Sequence, residues 1–137
     1  MKKVAGLPTE AAYRRLVPSA TTLGGLVTRL TSVEREWFQV ILARRSPAEA
    51  GARVADDGWG TAAERSVEEL VADYQRACAD SRQSAASFSL EDSVPHPRLG
   101  RVSLRWIYVH MIEETARHAG HADILREQTD GATGFDG

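Results

Sequence analysis

The chain has 137 residues, a net charge of −2, 42% hydrophobic and 26% charged residues, and a single cysteine. That length fits one domain, 1–137, able to bury a core of its own, and the balance excludes a disordered chain. No basic stripe points to nucleic acid, no apolar run reaches the ~18 residues of a membrane helix, and one cysteine excludes an internal disulfide. The expectation is a cytoplasmic protein in which Cys78 is a buried structural thiol.

Residues Val4 to Pro18 are short and mixed, and Thr9 to Leu16 allows one or two helical turns at most. The first convincing helix starts among Ser19 to Thr22, which supply N-caps. Leu23, Leu26, Val27, Leu30, Val33, Trp37, Phe38 and Ile41 follow at helical spacing, and the run reaches Arg44 or Arg45 before Pro47 stops it. Ser46 to Gly60 reads as a loop with Trp59 as an anchor. Thr61 to Glu64 reads as a capping box for a helix that places Val67, Leu70, Val71, Tyr74 and Cys78 on one face and ends near Ala86. Ser87 to Arg101 is a polar connection in which Pro95 and Pro97 flank His96, and no strand alternation is visible. Ser103 opens the longest helix, ended near Thr129 by Asp130 and Gly131, and the tail 132–137 is flexible in composition. The result is an all-α bundle, its fourth helical element drawn from the N-terminus.

The last helix carries the chemistry. With His110 as origin and about 100° per residue, His121 falls near 20°, Glu114 near 40° and His118 near 80°. Ile107, Met111, Ala122 and Leu125 share that sector, so the polar row lies inside the apolar stripe. Burying carboxylate and imidazole is costly unless they are bonded to each other or to a metal. Glu114 and His118, at i and i+4, converge on one point. A divalent ion with a further ligand accepts this set, and a metal-free hydrogen-bond network that fixes the packing, the reading spacing alone slightly favours, accepts it too. His121 could orient His118 or join the ligands, and His110 is a core or outer residue. Trp37, Phe38 and Trp59 read as core.

Two stretches carry a family resemblance: Val102 to Ile107 leading into His110–Glu127 and Asp130–Gly131, and Pro18-Ser19 with Thr21 to Leu23, Leu26-Val27 and Val33 to Phe38. The chain resembles the DinB-like (YfiT-like) metal-binding superfamily from Leu7 onward. The resemblance implies an up-down-down-up four-helix bundle with a shortened first helix, 1–18 being its remnant and a linker. It also implies a divalent metal (Zn, Ni or Mn) held by Glu114 and His118 with a histidine of an earlier helix, and a mycothiol-type thiol as co-substrate of a transferase or isomerase. Two departures stand out. Arg29 occupies the register of the missing histidine and, being always cationic, could pair with Glu114 in place of a metal if it reaches the same pocket. The chain also opens near where the first helix should end, which leaves an apolar groove and favours a homodimer. The function expected is therefore a metal-dependent thiol S-transferase-like enzyme with a degenerate site, whose metal residues are Glu114, His118 and His121, with Arg29 and His110 beside them. The alternative is a metal-free, non-catalytic protein that binds a small molecule or serves as a dimeric scaffold.

Overall fold

Thr22 fixes the start of the first long helix, since its hydroxyl accepts the Gly25 amide at 3.0 Å. In the computed structural model, which describes residues 2–52 and 65–133, that helix is the second element in chain order. A single turn, α1 (Thr9–Ala12), precedes α2 (Leu23–Glu34), which continues without a break as a π-helical segment, Arg35–Leu42. There follow α3 (Pro47–Ala50), α4 (Val67–Ala85), a hairpin of β1 (Ser93–His96) and β2 (Gly100–Ser103), and α5 (Leu104–Asp130). Trp59 and the expected Thr61–Glu64 capping box lie outside the described residues.

The fold is mainly helical, as expected, but the described residues form three long helices and a hairpin. The expected loop 46–60 begins with α3, a turn built by a Ser46–Glu49 capping box. A second such box, Ser66–Glu69, starts α4. The expectation of no strand is corrected: Val94 pairs with Val102 across an antiparallel ladder, and these two are its buried side chains. With four residues per strand and Pro95 in the first, the alternation is too short to register in the sequence. His96 builds the turn, because its Nδ1 accepts the amides of Arg98 and Leu99, both at 3.1 Å, and Gly100 takes the left-handed conformation at φ 74°.

The π-helical segment carries large side chains inward. Trp37, Phe38, Gln39, Ile41 and Leu42 are all buried, and the wider turn keeps residues four and five apart on one face. Its last bond runs from the Ala43 amide to the Phe38 carbonyl at 3.1 Å. Arg44, at φ 61°, ends it and donates to the Pro95 carbonyl at 3.3 Å, tying the hairpin to the helix.

Two apolar clusters make the core. One joins Val33, Trp37, Phe38, Ile41 and Leu42 to Val94, Val102, Leu104, Ile107 and Met111. The other joins the N-terminal Val4, Leu7 and Ala12 to Leu23, Leu26, Val27, Val67, Leu70, Ala122 and Leu125. α2 packs against α4 on one side and α5 on the other. α4 and α5 diverge, leaving an open groove between them. Arg126 bonds the Lys3 and Ala5 carbonyls, each at 3.2 Å, and holds the N-terminal segment over the C-terminal half of α5.

Candidate functional site

The wheel drawn from the sequence places the buried stripe of α5 correctly: Leu104, Ile107, Met111, His118, Ala122 and Leu125 face inward. Glu114 and His118 meet as expected, with Oε2 and Nε2 3.5 Å apart and little of either side chain exposed. His118 is 8% exposed, and its Nδ1 has no hydrogen-bond partner. Burial holds this imidazole below the usual histidine range. The Glu114 carboxylate works against that, while the charges of His121, Arg29 and Arg117 add to the lowering. His118 is therefore neutral at neutral pH.

The other expected residues fall differently. His121 is exposed rather than inside the stripe, its ring centroid 5.6 Å from that of His118. Arg29 is half-buried on α2, near enough for its charge to bear on His118. It makes no ion pair with Glu114, whose partner is His118, so the expected Arg29–Glu114 pair is corrected. Their positions on different helices set that spacing, which no local pattern encodes. His110 stays apart from the pair. It stacks on Trp106 at 5.0 Å and meets Trp37 edge-on at 4.8 Å, and Trp37 in turn stacks on His96 at 5.1 Å.

The metal expectation can be tested on these donors. Among the described residues, no group of three His, Cys, Asp or Glu side chains comes together to hold an ion. Glu114 and His118 supply two donors, and the cation whose charge reaches His118 from α2, Arg29, is no metal ligand. This set does not fit a firmly held divalent ion, which in protein sites takes three or four protein ligands.

Among the described residues, two cavities border α5. The smaller, about 110 Å³, is lined by His118, Tyr74, Thr115, Ala119, Leu30 and Lys3 among others. The larger, about 460 Å³, is the α4–α5 groove and shares Thr115 and Ala119 with the first. Its walls are apolar at Phe38, Tyr108, Met111 and Ile112 and polar at Glu34, Cys78, Ser81 and Arg82. Ser81 donates its hydroxyl to Glu34 Oε2 at 2.6 Å. Cys78 is half-buried on this wall rather than fully in the core. Burial first, and then the Glu34 charge, push its thiol up. Burial also pushes the Tyr74 hydroxyl well above its usual range, with Cys78 and Glu34 adding to the rise.

Glu34, Tyr74, Ser81 and Arg82 are the residues that sequence reasoning missed. Their signal was present but faint: Tyr74, Cys78, Ser81 and Arg82 recur at helical spacing along one side of α4, and Glu34 follows Leu30 by one turn.

A mainly helical domain with a carboxylate and an imidazole one turn apart on its last helix is consistent with the DinB-like class, and the family match places the chain there. Within that class the chain belongs to the mycothiol-S-transferase family, whose family model matches residues 1–131. No curated protein matches the sequence.

Proposed function

We propose that the protein is a thiol S-transferase-like enzyme that takes a low-molecular-weight thiol of the mycothiol type and uses Glu114 and His118 as its acid–base pair. The observation that carries this reading is a nearly buried, neutral His118 with a free Nδ1, set against the Glu114 carboxylate. A neutral imidazole is the form that accepts a proton at neutral pH. The thiol proton passes to His118, and the thiolate attacks an electrophilic carbon. The bond to the leaving group breaks, and the leaving group takes its proton from His118. Glu114 stabilises the imidazolium in between, and the positive charge of Arg29 favours thiolate over thiol. The 110 Å³ cavity beside His118 admits the sulfur end of such a molecule. No step uses a metal, in keeping with the donor set.

The test is conjugation of a cysteinyl thiol to a chlorodinitrobenzene electrophile, by the intact protein, with and without EDTA. H118Q should lower the rate about 10²- to 10⁴-fold, E114Q should lower it less, and chelation should leave it unchanged. Activity abolished by EDTA and restored by Zn²⁺ would overturn the metal-free mechanism. Full activity in folded H118Q would remove the pair from the reaction.

A further inference from the structure

We propose that the α4–α5 groove binds an apolar α-amino acid, with its ammonium group on Glu34, its carboxylate on Arg82 and its side chain against Phe38, Tyr108, Met111 and Ile112. The groove has a volume of about 460 Å³, inside the range of about 300–1,000 Å³ typical of small-molecule sites. Its lining is a few polar groups set in apolar walls, the pattern of a ligand site.

The charges choose the ligand class. Glu34 is half-buried, and its hydrogen-bond donor is the neutral Ser81 hydroxyl, itself 4% exposed. Among the described residues, no cation pairs with Glu34 and no carboxylate pairs with Arg82. A carboxylate on an apolar wall is costly until a cation meets it. One anion and one cation facing a single groove make it neutral overall and complementary to a dipolar ligand. Cys78, its thiol pushed up by burial and by Glu34, stays protonated and adds no charge. A second copy of the chain is the rival occupant, because Ile112 and Val109 on the same side of α5 are 69% and 61% exposed. An apolar helix laid there would take both Glu34 and Arg82 out of water without supplying a partner to either, so the groove favours a ligand that brings an ammonium and a carboxylate.

The test is calorimetric and amide-NMR titration of the intact protein with three probes: L-phenylalanine, phenethylamine, which lacks the carboxylate, and 3-phenylpropionate, which lacks the amine. L-phenylalanine should shift the amides of Ser81, Ile112 and Thr115. Each truncated probe should bind about ten- to a hundred-fold more weakly, the worth of one charge-assisted bond. E34Q should weaken L-phenylalanine and phenethylamine while sparing 3-phenylpropionate, and R82Q should weaken L-phenylalanine and 3-phenylpropionate while sparing phenethylamine. Equal binding of all three probes, or no shift at millimolar L-phenylalanine, would overturn the proposal. So would a dimer in sedimentation that I112D returns to monomer and whose groove ignores all three probes. The readout is binding alone, so its failure leaves thiol transfer by Glu114 and His118 standing, and the reverse also holds.

Discussion

Replacing Asp73 with alanine should be among the most damaging single polar substitutions in the molecule. Arg35 of the π-helical segment grips Asp73 with both terminal guanidinium nitrogens, Nη2 at 2.7 Å and Nη1 at 3.3 Å. Arg65 and Arg76 add bonds of 3.2 Å each. Asp73 and Arg35 are only 14% and 19% exposed, so alanine would strand a mostly buried guanidinium. A fully buried pair broken from one side costs about 3–5 kcal/mol, and partial exposure lowers that to roughly 2–3 kcal/mol. Arg65 is half-buried at the surface and Arg76 is exposed, and their pairs contribute about 0–1 kcal/mol together. D73A should therefore lose about 3 kcal/mol. Urea unfolding followed by circular dichroism at 222 nm reads this directly, and the D73A/R35A double variant should recover most of the loss. A D73A loss below about 0.5 kcal/mol would refute the reasoning. The carboxyl also sets a pH signature. Burial acts to raise it, but the bonds and charges of Arg35 and Arg65 outweigh burial and hold it below its ordinary 3.8. Its folded value is depressed, so its contribution is full above that pH and is lost as pH falls through the folded value. D73A should flatten the acid limb of stability below about pH 4.

Two helical glycines should respond oppositely to alanine. A Cβ at Gly24 would sit 2.8 Å from the Tyr13 ring, whose hydroxyl bonds the Arg65 carbonyl at 3.1 Å. G24A should cost about 1–2 kcal/mol despite a helix-propensity gain near 1 kcal/mol, and in a Y13A background it should turn neutral or stabilising. A Cβ at Gly120 would meet nothing within 4 Å, so G120A should stabilise by about 0.5–1 kcal/mol in thermal melts. I107A, at a side chain with 0% exposure, should cost about 2–5 kcal/mol. V109A, on the opposite, exposed face of α5, should change stability by less than about 0.5 kcal/mol, and a loss as large as that of I107A would mean Val109 is covered in solution.

Much of α5 was legible because a long helix writes its burial at a fixed period. Its N-cap Ser103, its left-handed Gly131 and its inward stripe all follow from local chemistry, as does the meeting of Glu114 and His118 one turn apart. What depends on a neighbouring helix was not legible. The exposure of His121 and the separation of Arg29 from Glu114 are set by how α2 lies on α5. The hairpin was hidden because each strand buries one valine, and the π-helical turn because its buried positions resemble ordinary helical spacing over so few residues. The groove polar wall was split across α2 and α4, so no single segment announced it.

The placement of the polar residues gives these pieces a common logic. An apolar cluster lies at each end of the molecule. Between them, at mid-height, come Glu34 and Ser81, Cys78, Thr115, and the Glu114–His118 pair. A continuous core would stabilise more strongly, since half-buried carboxylates and an imidazole with an unpartnered Nδ1 cost free energy at rest. Both clusters already hold the helices in register, which lets the middle layer remain polar and leaves α4 and α5 apart over part of their length. The cost concentrates where the cavities are, and Thr115 and Ala119 line both of them. A ligand held in the groove therefore lies one helix face away from His118. That proximity makes the groove and the acid–base pair candidates for a single working site, with Glu34 and Arg82 holding one molecule while His118 handles the proton of another.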